Sequence, residues 1–381
     1  MKIEEIKTTR GLAAIADEWK QLQEACSPLT PFQTWEWNSL WWQHFGRGKS
    51  LRLILFREAE TKKLCGVAPL YISRHRGLPL RRLTWLGNGN SDYLGILALS
   101  THQDIVVSSF KHYLAHILRG WDYADLPQQR FDSPLLHSLH SPDLVLEILP
   151  QEPCPILMLP TSWDVLMQQL GKKMRSNLGY YDRLLLRTHA DAEYSVATQE
   201  NLELGMTALF DLHQRRWNAR WLPGVLGKPR VQRFHRDIAR VFLDRGWLRL
   251  HLLSIEGRIR AVIYCFAVQG RTFYYLGGFD PELSRLSIGT LLNGRAIRMA
   301  MEEGNAEFDF LRGNESYKYR WQPEVHTNQQ IIVVPKSGLR SITGHAGKQM
   351  NSVERSIEHH AKELAERMGR KKTAPAKDEK D

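Results

Sequence analysis

Between residues 247 and 310 the chain spells out an order of elements that few folds can accommodate. Residues 247–254 (Trp-Leu-Arg-Leu-His-Leu-Leu-Ser) read as a strand, and Glu256-Gly257 supplies a two-residue hairpin turn. Ile259 to Val268 is apolar nearly throughout, which marks a central strand covered on both faces. Arg271 to Gly277 forms a third strand, entered through Gln269-Gly270. The loop Gly278–Gly289 then runs into a helix whose Ile288, Leu291, Leu292, Ala296, Met299 and Ala300 make an apolar stripe at 3.6-residue spacing. Gly304 fits the C-terminal cap of that helix. Phe308 and Phe310 alternate with Asp309, so a last strand buries two rings on one face and turns the carboxylate to the other.

Two places along this order carry chemistry. The stretch Phe308–Trp321 packs Asp309, Arg312, Glu315, Tyr317 and Lys318 behind the carboxyl end of a strand, where α/β folds gather reactive groups. An ion-paired strand end has the same composition. The second place is the helix entry at Arg285, Ser287, Ile288, Gly289 and Thr290. Unpaired N–H groups and the positive end of the helix dipole favour a phosphate there, with Arg285 as a nearby cation. Serine is also an ordinary helix N-cap, so the Ser-x-Gly pattern alone does not decide.

The chain resembles the acyltransferase domain of the GNAT superfamily, in the FemAB-like branch that includes the BioF2-like, cellulose-biosynthesis-associated acetyltransferases. The matching blocks are Tyr274-Tyr275 with Gly277-Gly278-Phe279-Asp280-Pro281, then Leu286-Ser287-Ile288-Gly289 with Leu291-Leu292, then Asp309–Gly313 with Tyr317-Lys318 and Trp321. The resemblance covers roughly 155–335, and more weakly 30–100. It implies that the turn before the helix holds the pyrophosphate of acetyl-CoA or another acyl-CoA. Ser287 and Gly289 fall where the superfamily has two key glycines, and Ser287 departs from that pattern. It also implies direct transfer in a ternary complex, without an acyl-enzyme.

The rest of the sequence bounds the reading. A chain of 381 residues is long enough for two domains with their own cores. Its apolar runs are shorter than a membrane span, and Met1–Lys7 has no apolar signal core, so a cytoplasmic protein is expected, peripheral at most to the inner face of the membrane. Cys26, Cys65, Cys154 and Cys265 show no CxxC pairing and read as reduced core residues. His112 and His116 lack a third ligand, so no metal is expected. The net charge of +11 is uneven, because residues 161–260 hold 17 basic against 10 acidic side chains. That excess suggests an anionic partner, whether CoA, a nucleotide-sugar, a lipid-linked diphosphate, an anionic membrane or tRNA.

Acceptor-binding candidates sit on two helices. Lys172, Arg175 and Asn177 open one that runs to about Arg187. His213, Arg216, Trp217 and Trp221 lie towards the end of another, which starts near Glu200. Trp217 and Trp221, four residues apart, share a face and form either a packed pair or a stacking platform for a sugar. The N-terminal half echoes the C-terminal one: Leu51–Phe56 against Leu248–Leu253, Cys65–Tyr71 against Ala261–Val268, and Trp85–Asp92 against Tyr275–Asp280. It carries no Asp309-like cluster, and its Phe32–Phe45 aromatic run has the helical spacing of a core element.

The expected fold is thus α/β, in the α+β sense, with two tandem GNAT-like domains of mixed, mostly antiparallel sheets flanked by helices. The divisions fall at 1–150 for a degenerate N-terminal copy, 151–340 for the acyltransferase domain and 341–381 for a helical and disordered basic tail, with helix over Met350–Met368. Thioester transfer needs a base for the acceptor and a proton for the leaving thiolate. Asp309 or Glu315 is the candidate base and Tyr317 the acid, with Lys318 and Arg312 positioning phosphate or acceptor. The expected activity is N- or O-acylation of a cell-envelope or exopolysaccharide glycan, or of its lipid- or nucleotide-linked precursor, with association to a membrane or a polysaccharide synthase. The alternatives are an aminoacyl-tRNA-dependent peptidyltransferase, the one reading that needs nucleic acid, and an inactive scaffold. No sustained heptad pattern supplies the coiled-coil arm the former would carry.

Overall fold

The computed structural model describes residues 1–74, 79–137, 141–218, 224, 226–338 and 341–353, the side chains of 137 and 216–218 excepted. Arg220, Trp221 and the segment beyond 353, with most of the expected Met350–Met368 helix and the tail, lie outside the described residues. The chain forms two compact units that are interleaved in sequence. The first takes residues 1–166, 266–273 and 300–349, and the second takes 167–265, 274–299 and 350–381.

The strands in chain order begin with β1 (Lys2–Ile6), β2 (Ser50–Arg57), β3 (Leu64–Arg74), β4 (Arg81–Trp85), β5 (Leu97–Ala98), β6 (Tyr123–Gln129) and β7 (Leu144–Met158). They continue with β8 (Glu193–Val196), β9 (Leu248–Ile255), β10 (Arg258–Val268), β11 (Arg271–Phe279), β12 (Glu307–Asp309) and β13 (Glu324–Pro335).

In the first unit the strand order is β1-β2-β3-β4-β6-β13-β7-β12, with β5 beside β3. Neighbours are antiparallel except β4 and β6, which run parallel and need a crossover; the helix Gln103–His112 supplies it. Ile54, Phe56, Leu70, Trp85, Phe110 and Trp121 pack into one core between that helix and one face of the sheet. On the helix Trp35–Phe45, Trp37 and Trp41 are buried, as the aromatic spacing predicts. Gly344 and Gly347 fit a helix at 341–353, since a Cβ there would meet Val334 Cγ1 at 2.5 Å and the Tyr123 ring at 2.3 Å.

Strand β7 holds three prolines, Pro150, Pro153 and Pro155, and is paired to β13 and β12. Beyond Asp309, where β12 ends, two of these prolines still accept through their carbonyls: Phe310 N–H donates to that of Pro155 (2.9 Å) and Gly313 N–H to that of Pro153 (2.8 Å).

The second unit holds β8, β9, β10 up to Cys265 and β11 from Tyr274, and these strands are neighbours in that order. Two-residue turns join β9 to β10 and β10 to β11, and both central residues have positive φ: Glu256 (53°) and Gly257 (68°), then Gln269 (47°) and Gly270 (72°). Helices Lys172–Thr188, Leu202–Asn218, Pro229–Asp244 and Ile288–Glu302 carry the remaining apolar faces. A Cβ on Gly278 would lie 2.8 Å from His213 N, so the helix Leu202–Asn218 sits directly on β11.

The sequence echoes correspond to equivalent strands, β2 with β9 and β3 with β10. Each set leads through a third strand and a helix to a parallel partner, β6 for β4 and β12 for β11. The strands that follow are exchanged, for β7 comes after β6 yet pairs with β12, and β13 comes after β12 yet pairs with β6. Among the described residues no helix is long and apolar enough to cross a membrane.

Candidate active site and cofactor turn

In the first unit Asp309, at the end of β12, is only 1% exposed. Its Oδ1 accepts from the Tyr93 hydroxyl at 3.0 Å and from the Leu311 N–H at 2.7 Å. Burial raises its pKa to about 7; the two hydrogen bonds and the charge of Arg130 work against that rise without cancelling it. The Arg130 guanidinium lies 5.6 Å from the centre of the Tyr93 ring. Both side chains line a cavity of about 80 Å³ with Gly95, Ser133 and Leu135.

The residue next to Tyr93 completes the cluster. Asp92, also buried, pairs with Arg312 Nε at 2.8 Å. Burial raises the Asp92 pKa, and Arg312 opposes the shift. The turn that delivers Asp92 and Tyr93 runs through Gly87 (φ 85°) and Gly89 (φ 93°), and Tyr93 itself sits at φ 50°. Core tryptophans hold it: Trp37 Nε1 donates to Ser91 Oγ (2.7 Å) and Trp41 Nε1 to Asn90 Oδ1 (3.3 Å). Cys154 is buried close by, its thiol pushed up by burial and by the two carboxyl groups.

Lys318 is buried, and its ammonium donates to the carbonyls of Leu311 (3.3 Å), Arg312 (2.8 Å) and Gly313 (3.5 Å). It also pairs with Glu315 at 2.9 Å. Three carbonyls converge because Leu311 (φ 54°) and Gly313 (φ 124°) curl the chain around the amine. A Cβ at Gly313 would meet the Glu315 carboxylate at 2.4 Å. Glu315 is half exposed, and half-buried Tyr317 packs edge-on to Phe310 at 6.4 Å. The structure therefore brings Asp309, Arg312, Glu315, Tyr317 and Lys318 into one short loop and adds Asp92 and Tyr93 to them.

In the second unit Arg285, Ser287, Ile288, Gly289 and Thr290 lie where a 3₁₀ turn, Pro281–Leu286, passes into the helix Ile288–Glu302. Ser287 has left-handed φ/ψ of 50° and 35°. The first bonds of the ladder run from Thr290 N–H (2.8 Å) and Leu291 N–H (3.2 Å) to the Ser287 carbonyl, which leaves the N–H groups of Ile288 and Gly289 ahead of it. Arg285 is exposed beside them. Gly289 has a packing reason as well, since a Cβ would lie 3.0 Å from the Phe279 ring. Asp280, 2% exposed, anchors the turn by accepting from Arg260 Nη1 (2.8 Å) and from the Glu282 N–H (3.1 Å).

Among the acceptor candidates, Lys172, Arg175 and Asn177 open the helix Lys172–Thr188, and Arg175 donates to the carbonyls of Met167 and Gln168 at 3.4 and 3.1 Å. His213 is buried, its backbone against Gly278. Arg216 and Trp217 belong to the helix Leu202–Asn218, with side chains outside the described residues. Several arginines of the basic segment are taken up internally. Arg236 and Arg240 both pair with Glu203, and Arg215 pairs with Asp211 at 2.8 Å.

Comparison with known proteins bears on this arrangement. Residues 172–319 match the family described as Acetyltransferase (GNAT) domain. The structure is similar to that of FemX, with a TM-score of 0.59 at 12% identity over 87% of this chain and 97% of the other. The chain has the fold of FemX, and within it residues 172–319 are similar to the GNAT acetyltransferase domain. A conserved protein of unknown function from Bacteroides thetaiotaomicron VPI-5482 shares the fold (TM-score 0.54, 10% identity, 87% and 99% of the two chains). So does the C-terminal domain of an Agrobacterium fabrum protein named as a lysylphosphatidylglycerol synthetase (TM-score 0.52, 11% identity, 89% and 96%). No curated protein sequence matches this chain. The matched GNAT span takes in the 285–290 turn and the loop from Asp309 to Tyr319. Asp92 and Tyr93 lie outside it; in sequence Asp92 stood out only as the counterpart of Asp280.

Proposed function

We propose that this GNAT-fold chain is an acyl-CoA-dependent acyltransferase, transferring its acyl group directly to an amine or hydroxyl of a cell-envelope or exopolysaccharide glycan or of its lipid- or nucleotide-linked precursor. The observation that carries the reading is the Ser287 turn, whose two leading N–H groups, exposed Arg285 and helix dipole suit a pyrophosphate. In this reading Arg285 and Ser287–Thr290 hold the cosubstrate. Asp309, with a pKa near neutrality, receives the acceptor proton in concert with the Tyr93 hydroxyl, which it already holds. Glu315 is the more exposed alternative base, and Tyr317 supplies the proton for the leaving thiolate. Lys318 and Arg312 position the loop, through its carbonyls and through Asp92. Lys172, Arg175, Asn177, His213, Arg216 and Trp217 contact the acceptor.

The reading is tested by following thiol release from acetyl-CoA in the presence of nucleotide-sugar and lipid-linked sugar acceptors. Acceptor-dependent release supports it. Release from no acyl-CoA with any such acceptor, while aminoacyl-tRNA serves as donor, would assign the fold to the peptidyltransferase reading. Inertness towards both donors would favour a scaffold in a polysaccharide-synthesis complex.

A further inference from the structure

The helix Lys172–Thr188 has one face that the second unit buries and one that it leaves bare. Met174, Leu178 and Leu185 are buried. On the opposite side Lys172, Ser176, Tyr180, Arg183 and Arg187 follow one another at helical spacing, with Lys173 and Leu186 on either flank, and all are exposed. Lys172, Lys173, Arg183 and Arg187 have no acidic partner among the described residues. The helix has one acid, Asp182, which lies off this face and pairs with Arg295 at 3.5 Å. Between the cations stand two large apolar groups, Tyr180 (52% exposed) and Leu186 (49% exposed).

We infer that this face docks the protein on an anionic membrane surface. Four unpaired cations spread along about four turns of the exposed side complement a negative leaflet, which attracts each Lys or Arg held near it. The apolar pair selects a bilayer over a soluble polyanion. Nucleic acid rewards the cations but offers nothing to a half-exposed leucine, whereas the headgroup boundary accepts Leu and Tyr together. Long Arg and Lys stems lie along such a boundary with their charges in water. The inference uses none of the residues assigned to proton transfer and does not depend on the acyl donor.

The test is cosedimentation of the full-length protein with phosphatidylcholine vesicles, with and without phosphatidylglycerol, at low and at physiological salt. Binding is expected with phosphatidylglycerol alone and should weaken as salt rises. The R183A/R187A variant should lower the partition coefficient about thirty-fold, from two lost surface cations. L186S should lower it roughly five-fold, from the lost apolar contact. Equal binding to neutral vesicles, salt-independent binding by the wild type, or an unchanged R183A/R187A variant would overturn the inference. So would a wild type that ignores vesicles and binds mixed tRNA through the same arginines, which would make the partner a polynucleotide. Salt dependence of the wild type keeps the test valid even where a variant folds poorly.

Discussion

Replacing Asp309 by Asn separates the charge of this group from its hydrogen bonds. Both donors, the Tyr93 hydroxyl and the Leu311 N–H, reach Oδ1, which an asparagine retains as a carbonyl acceptor. Burial raises the Asp309 pKa from 3.8 to about 7, so between those values the folded protein binds a proton that the unfolded chain does not. Stability is therefore greatest below the unfolded pKa, falls as pH rises through that window, and levels off above it. At 1.36 kcal/mol per pKa unit the charged form costs on the order of 4 kcal/mol at pH 8. Against this, the asparagine NH₂ left without an acceptor costs about 1–2 kcal/mol at every pH. Asp309→Asn is thus expected to be less stable than the wild type near pH 4.5 and more stable, by about 2 kcal/mol, near pH 8. Urea denaturation across that range gives the difference directly. A variant that is destabilised equally at both ends would refute the reasoning, because the carboxylate would then be fully compensated in the folded state. The same substitution should reduce transfer by a factor of about 10²–10⁴ if Asp309 is the base.

Tyr93→Phe removes a hydrogen bond that holds the Asp309 pKa down, so the acid limb of the kcat/KM profile, rising through about pH 7, should move to higher pH; a pH–rate series reads this, and an unmoved limb would exclude Asp309 as the titrating base. Arg260→Ala leaves the Asp280 carboxylate buried without its cation and should cost about 3 kcal/mol, with loss of acyl-CoA affinity as the turn loosens; chemical denaturation and a binding titration check both. Lys318→Met strips the shared donor from three carbonyls and should cost about 3 kcal/mol, with new proteolytic cleavage between Leu311 and Glu315.

How much of this the sequence discloses depends on how local each interaction is. The hairpins at Glu256-Gly257 and Gln269-Gly270 are legible because a two-residue turn between apolar runs names its own partners. The helix Ile288–Glu302 is legible from its periodic stripe, and the core role of Trp37 and Trp41 from helical spacing. The exchange of β7 and β13 is not legible, since each pairs with a strand far away in the chain, and the prolines of β7 hide its character until the donors Phe310 and Gly313 are seen across from it. Asp92 and Tyr93 escape for the same reason: Tyr93 and Asp309 stand 216 residues apart, and no local pattern announces a hydroxyl meant for a distant carboxylate. The pairing of Arg236 and Arg240 with Glu203 is not legible either, because Glu203 sits on another helix.

The central claim is that the Ser287 turn holds the pyrophosphate of an acyl-CoA. Ser287→Asp tests it most directly, because a carboxylate at a helix N-terminus is favourable to folding while it repels a phosphate, and aspartate tolerates the left-handed backbone. Calorimetric titration of acetyl-CoA into both proteins should show micromolar binding by the wild type and at least a ten-fold loss in the variant, at unchanged melting temperature. Absence of binding by the folded wild type, or equal affinity in Ser287→Asp, would contradict the account.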